Sequence, residues 1–420
     1  MKPGRRIFAS NAVWAGGPDA GLAVKAPYTD AELADGRYRS QVPPPRPDNF
    51  EYWAWTSRLD RIAASAVLNI DSQPVTAAGW PGAWTGGPMD GIHDPTPATP
   101  DVMTILNAEP ITPNEEYVSR GGRLWVAGTA LAAPTVAVAP RVAVDGAGLR
   151  VQVLGSAVAG ADVPWSSLNY AAWLTWAGGC AAGTWADIDY GGVGANARWV
   201  IGDGAHGGGA GAILRSPGPA TIFSGPFTDA GFAGAITCLG YSHHYAGDIY
   251  PDDPGNHMWV GLSATECSVA VDASANAWSL AAAHGLGATP VDIAYSKPNT
   301  EWIAVDLTCG ISRSTDGVTW VRSAAGTATG LYASIVNATT ARICTDGFGH
   351  WLVLLVDSVG NTAELHASSD DGATWFEVWP DVVLAGVTDG CCWYGLGRFY
   401  AAITDAAGAG IIYATPRAAE

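Results

Sequence analysis

Charge is sparse in this chain. Only 14% of its 420 residues are charged, and 21 basic residues face 39 acidic ones, a net charge of −18. That balance opposes nucleic-acid binding and favours solubility. The seven cysteines form an odd set with no C-x-x-C pair, and Cys391-Cys392 are adjacent. This argues against a disulfide framework and for reduced, mostly buried thiols. No run approaches 18 apolar residues, so no membrane span is expected. The opening Met1-Lys2-Pro3-Gly4-Arg5-Arg6 is basic, but no apolar stretch comes after it, so no signal peptide is expected and folding is placed in the cytosol. G-x-S-x-G, H-E-x-x-H, P-loop and dinucleotide signatures are missing where a site would need them. The glycine run Gly207-Gly208-Gly209-Ala210-Gly211 is not followed by Lys-Ser/Thr and reads as a hairpin tip. No cofactor is expected.

What the chain has in quantity is Gly (53) and Trp (19), the composition of many short strands joined by tight turns. Two stretches organise it. Ser368-Ser369-Asp370-Asp371-Gly372-Ala373-Thr374-Trp375 fits S-x-D-x-G-x-T-W throughout; Ser314-Thr315-Asp316-Gly317-Val318-Thr319-Trp320 fits it with one residue deleted. A short Asp side chain accepts hydrogen bonds from the backbone N–H groups ahead of it, and Gly supplies a positive φ to reverse the chain. Thr then re-enters a strand and Trp lands on the buried face. The pattern resembles the Asp-box (BNR) turn of sialidase-like and other β-propellers. That resemblance implies rim turns between outer strands, built on Ser314, Asp316, Gly317, Thr319, Trp320, Ser368, Asp370, Gly372, Thr374 and Trp375.

A weak unit recurs from about residue 120. Its strands open at Arg123-Leu124-Trp125-Val126, Leu149-Arg150-Val151, Arg198-Trp199-Val200-Ile201, Met258-Trp259-Val260, Trp302-Ile303-Ala304-Val305, Trp351-Leu352-Val353 and Arg398-Phe399-Tyr400. The last four intervals between aromatic starts, 60, 43, 49 and 48 residues, suit four-stranded blades. Asp272 to Trp278 and Arg215-Ser216-Pro217-Gly218 stand where degenerate turns of the same kind would lie. The expected fold is all-β: a six- or seven-bladed β-propeller with Asp-box turns, preceded by an extended N-terminal arm and one short helix. The count is seven if 149–185 is a blade and six if it is an insertion. Closure is expected from Gly410-Ile411-Ile412-Tyr413-Ala414 against a strand near 120–130 or the segment preceding it. A pair of β-sandwiches or a β-helix is the alternative.

The domain reading is 1–46, an extended arm; 47–75, a short helix and linker; and 76–420, the propeller. Charge divides in the same place. Residues 1–75 carry nine Lys/Arg against eight Asp/Glu, and the remaining 345 carry twelve against 31. Pro43-Pro44-Pro45-Arg46-Pro47 forms a stiff spacer. Beyond it Asp48 or Asn49 caps a helix through Phe50, Trp53, Leu59, Ile62, Ala63 and Ala66. The opening R-x-I-F-A-S-N-A-x-W-A-G-G and the later P-D-N-F-E-Y-W-x-W-x-S-R-L-D-R-I are similar to the N-terminus of many tailed-phage virion proteins. In those the segment attaches a fibre or appendage to the particle. The resemblance covers roughly the first 70 residues and implies virion anchoring through Phe8, Trp14, Pro44, Asn49, Tyr52 and Trp53.

Candidate chemistry is thin. A sialidase-like hydrolase would need three arginines converging on a substrate carboxylate. Arg123, Arg198 and Arg398 precede strands alike, but no Phe/Tyr-Arg-Ile-Pro motif is present, and Arg313 and Arg322 flank a turn on the rim. Tyr241-Ser242-His243-His244 with Asp248, Asp252, Asp253 and His257 offers weak metal ligands, His243, His244, Asp248 and His257; the bland reading is a solvated loop broken by Pro251, Pro254 and Gly255. No catalytic residues and no metal are assigned. Two functions are compatible with these observations. The first is a structural component of a tailed-phage virion, present in several copies. It would be assembled in the host cytoplasm, attached to tail or adaptor proteins by its arm, and would display a propeller to a host-surface glycan or receptor. The alternative is a glycan-binding or sialidase-like glycoside hydrolase propeller.

Overall fold

The computed structural model describes most of residues 185–405, with strands at 73–74, 89–94, 102–107, 115–120, 125–127, 139–144, 149–155, 165–168, 174–175 and 410–414. The arm, the anchoring residues Phe8, Trp14, Pro44, Asn49, Tyr52 and Trp53, and the expected helix all lie outside the described residues. Residues 71–414 form one compact unit.

Every described element beyond single turns is β, and the pairing is antiparallel throughout. Strand β1 (Gln73–Pro74) stands apart from the run of strands after it. Sheet I is β2 (Met89–Asp94), β3 (Val102–Asn107), β4 (Glu115–Arg120) and β5 (Trp125–Ala127). Sheet II is β6 (Ala139–Val144), β7 (Leu149–Gly155), β8 (Trp165–Leu168) and β9 (Leu174–Thr175). Sheet III is β10 (Trp185–Gly191), β11 (Arg198–Asp203), β12 (Ile213–Arg215) and β13 (Thr228–Asp229). Sheet IV is β14 (Ile236–Tyr241), β15 (Trp259–Ser263), β16 (Glu266–Ala270) and β17 (Ala282–Ala283).

Sheet V is β18 (Pro290–Ser296), β19 (Glu301–Asp306), β20 (Ile311–Ser314) and β21 (Val321–Ser323). Sheet VI is β22 (Thr340–Thr345), β23 (Trp351–Asp357), β24 (Thr362–Ser368) and β25 (Phe376–Val383). Sheet VII is β26 (Val387–Gly395), β27 (Arg398–Asp405) and β28 (Gly410–Ala414), completed by β1. Among the described residues the strands thus form seven four-stranded sheets, six of them meanders in chain order. The first strands touch in cyclic order, each with the next, and β26 returns to β2. This is a β-propeller.

Two expectations are corrected. Of the two partners expected for Gly410–Ala414, the strand near 120–130 is not the one: the last sheet closes against Gln73 and Pro74, earlier in the chain, opposite Ile412 and Ile411. The segment Arg123–Val126 does not open a unit: Trp125–Ala127 is the fourth strand of sheet I, whose second strand is Val102–Asn107. That strand has no aromatic residue to announce it. Trp165 opens β8 of sheet II and Trp185 opens β10 of sheet III, so the tryptophans near residues 165–185 belong to two sheets.

The core lies between sheets. Trp199, Trp259, Trp302 and Trp351 each stand near the start of a second strand and are fully buried. Three of them meet a tyrosine on the first strand: Tyr190 with Trp199, Tyr241 with Trp259 and Tyr295 with Trp302, at centroid separations of 4.7, 4.6 and 4.8 Å. In sheet VII the order is reversed, Trp393 on the first strand stacking on Tyr400 at 5.3 Å. Residues of sheets V and VI share one apolar cluster containing Ile303, Val305, Trp351, Val353 and Leu355. Burial on both faces explains why Trp351–Val356 is a continuous apolar run and does not alternate.

Candidate functional site

The first strands are neighbours in a closed ring, and each carries one residue at a corresponding place near its start. Reading round the ring these residues are Asp90, Arg141, Asp187, Cys238, Asp292, Arg342 and Asp389. Four of the strands carry a register shift one residue earlier, between Trp185 and Asp187, Ile236 and Cys238, Pro290 and Asp292, and Val387 and Asp389. A bulge bends the strand and re-aims the side chain next to it.

Arg141 crosses the centre. From sheet II its Nε lies 3.7 Å from Asp187 Oδ1 of sheet III, and its Nη1 lies 3.4 Å from Asp292 Oδ1 of sheet V. Its Nη2 donates to the Val291 carbonyl at 3.0 Å. The carboxylates also tie neighbouring sheets together. Asp90 Oδ2 accepts the Val142 N–H at 2.9 Å, Asp187 Oδ2 the Leu239 N–H at 2.8 Å, and Asp292 Oδ2 the Ile343 N–H at 2.9 Å. Each bond joins one first strand to the next, 51 or 52 residues further on. Asp389 accepts from the Thr340 hydroxyl of sheet VI.

Burial governs the electrostatics. Desolvation pushes the Asp187 carboxyl up to about 7, although Arg141 opposes it. Asp90 is raised for the same reason against the same counterion, and the Cys238 thiol is driven well above its ordinary value. Burial alone would lower Arg141; Asp187, Asp292 and Asp90 outweigh it and hold the guanidinium charged. Among the described residues no group of three or more His, Cys, Asp or Glu is placed to hold a metal.

The two S-x-D-x-G-x-T-W stretches join third to fourth strands, β20 to β21 and β24 to β25. Asp316 Oδ1 accepts the N–H groups of Val318 at 2.9 Å and Thr319 at 2.6 Å, and the Ser314 hydroxyl at 3.0 Å. Burial would raise the Asp316 carboxyl, but the N–H donors of Thr319 and Val318 bring it below its ordinary value. Asp370 repeats the arrangement with the Thr374 N–H at 2.9 Å, the Thr374 hydroxyl at 2.6 Å and the Ser368 hydroxyl at 2.8 Å. Gly317 and Gly372 have φ of +69° and +74°. The indole N–H groups of Trp320 and Trp375 donate to the Gly317 and Gly372 carbonyls at 2.9 and 3.0 Å. Trp320 packs with residues of sheets IV and V, and Trp375 with residues of sheets V and VI. Each turn is therefore a lock against the preceding sheet.

The other candidates are not brought together. Arg198 and Arg398 open the second strands of sheets III and VII, paired with Gly191 and Gly395 at the ends of the first strands, and Arg123 lies outside the described residues. Arg313 bonds Glu301 Oε1 at 2.8 Å and the Asp371 carbonyl at 3.1 Å, and Arg322 bonds Asp306 Oδ2 at 2.8 Å. His243, His244, Asp248 and His257 fall in the connection from β14 to β15, outside the described residues. The axial ring was not anticipated from sequence. Its available signal is an Asp, Arg or Cys near the start of each first strand, recurring at about the blade spacing.

No family model matches the chain, and no curated protein matches it in sequence. Solved structures do. Virginiamycin B lyase from Staphylococcus aureus superposes with a TM-score of 0.53 at 11% identity, covering 82% of this chain and 98% of that one. BBS1N in complex with ARL6DN gives 0.50 at 13% identity, covering 84% and 98%. YCF48 from Cyanidioschyzon merolae gives 0.49 at 12% identity, covering 82% and 98%. Identities this low establish the propeller fold alone.

Proposed function

We propose that this chain is a structural component of a tailed-phage virion, a tail appendage or fibre protein. It is attached through its N-terminal arm and displays the propeller to the host surface or to neighbouring virion proteins. The observation that carries the reading is the resemblance of the first 70 residues to phage anchoring segments, on a chain that continues into a propeller. The axial ring supports a non-catalytic role. Asp90, Asp187 and Asp292 accept backbone N–H groups of the next sheet and Asp389 a threonine hydroxyl, so the groups best placed for acid–base work are engaged in holding sheets together. The turns at Asp316 and Asp370 support the same view, since Asp-box turns of this form fix outer strands and lie away from a central site. The negative charge of residues 76–420 keeps a displayed domain soluble and suits a basic partner.

The test is to tag the chain in a phage that encodes it and locate the tag on purified particles by cryo-electron microscopy. Discrete, symmetry-related density on the tail or its appendages is expected. Tagged chain present in the lysate but absent from particles refutes the proposal. Hydrolysis of sialosides or bacterial polysaccharides that is lost on changing Arg198 or Arg398 would replace it with the glycosidase reading.

A further inference from the structure

Sheets VI and VII meet through more than apolar contact. On β22, Thr340, Arg342 and Cys344 share one face of the strand, and Thr340 reaches Asp389 of β26. On β26, Gly390 and Cys392 share the opposing face: a Cβ added at Gly390 would meet Leu354 Cδ2 at 2.7 Å, an atom of sheet VI. The Cys392 thiol lies 3.9 Å from the Leu352 carbonyl. Leu352 is the residue that β23 pairs directly with Cys344. The register thus brings Cys392 to the level of Cys344, with the Cys392 thiol turned to the carbonyl of the residue paired with Cys344, and Cys392 is among the groups that raise the Cys344 thiol. Cys391, the preceding residue, takes the other face of the strand.

From this register we propose that Cys344 and Cys392 are a redox-active pair which closes to a disulfide between the first strands of sheets VI and VII. This inference is independent of the virion reading. The six described cysteines are all free and buried, yet Cys344 and Cys392, at 9% and 8%, are the most exposed among them. Burial raises the Cys344 thiol well above its ordinary value, so closure is slow at neutral pH and needs an oxidant small enough to enter.

The chemistry balances with a small uncharged dialkyl disulfide as oxidant. One protein thiol loses its proton and its thiolate attacks the reagent. A protein–reagent S–S bond forms, the reagent S–S bond breaks, and one small thiolate leaves. The second protein thiolate attacks the protein sulfur of that mixed disulfide, forming the Cys344–Cys392 bond and expelling the second small thiolate. Two protein thiols are oxidised by two electrons, one reagent disulfide is reduced, and the two protons pass to the two released thiolates.

The test treats the full-length protein with 2-hydroxyethyl disulfide near pH 8.5, about the ordinary thiol pKa. Alkylation with iodoacetamide and peptide mapping complete it. A single new cross-link between the peptides bearing Cys344 and Cys392, reversed by dithiothreitol, is expected. It should disappear in both Cys344→Ser and Cys392→Ala and persist in Cys391→Ser, and the oxidised protein should melt at a higher temperature. Mixed adducts without the cross-link, a link between Cys391 and Cys392, or free thiols at both positions while a urea-unfolded control reacts fully would overturn the proposal.

Discussion

At Asp187 a carboxylate is held away from water among Arg141, Asp292, Asp189 and Cys238, and its pKa rises to about 7. The folded state therefore binds this proton more tightly than the unfolded chain does. The stability associated with it is fully present below the ordinary carboxylate range, near pH 4, and is lost as pH rises through about 7. Asp187→Asn removes that titration. Relative to wild type the variant is expected to gain stability between about pH 4 and pH 8, by no more than about 4 kcal/mol. Urea unfolding at the two pH values reads it, and a variant that loses ground as pH rises would mean that Arg141 dominates over burial.

Arg141→Ala tests the same ring from its cationic side. It leaves Asp187 and Asp292 buried without their shared partner, and a loss of about 3–5 kcal/mol is expected from thermal or chemical unfolding. The sequence pattern does not announce this ring. The ring residue is Asp in four sheets, Arg in two and Cys in one, so no single residue type marks every sheet, and a bulge sets the equivalence in four of the seven. The buried tryptophans were easier, because aromatic residues open strand after strand. The Trp302 indole N–H has no hydrogen-bond partner among the described residues, so Trp302→Phe is expected to lose much less stability than Trp302→Ala, whose cost is about 3–5 kcal/mol.

Among the elements, the S-x-D-x-G-x-T-W turns were the most legible, because local hydrogen bonding dictates their sequence. Asp370 must reach the Thr374 N–H and hydroxyl, and the chain must turn through a positive φ at Gly372. Packing adds a second demand that the sequence alone does not express. A Cβ at Gly372 would overlap Ile303 Cδ1 of sheet V. Gly372→Ala is therefore expected to destabilise by more than the ~1 kcal/mol of a strained turn, about 2–3 kcal/mol in total, measured by denaturant midpoint. If Ile303→Val recovers part of the loss, the steric share is identified. Sheet I was missed at this scale because Val102–Asn107 opens without an aromatic, and β1 because two residues carry no periodicity at all.

For the molecule as a whole, the ring depends on Gln73 and Pro74, which complete sheet VII beside Ile412 and Ile411. A chain beginning at residue 71 keeps this strand, and one beginning at residue 76 loses it. The second is expected to melt at a lower temperature than the first, although only five residues separate them. On the proposed reading function divides along the same line, since the resemblance to phage anchors covers roughly the first 70 residues and the compact unit is residues 71–414. The most direct test adds purified protein to particles prepared without it and measures co-sedimentation. The full chain is expected to sediment with the particles and the chain beginning at residue 71 to remain in the supernatant with its propeller intact. Equal binding by both, or binding by neither, would contradict attachment through the N-terminal arm.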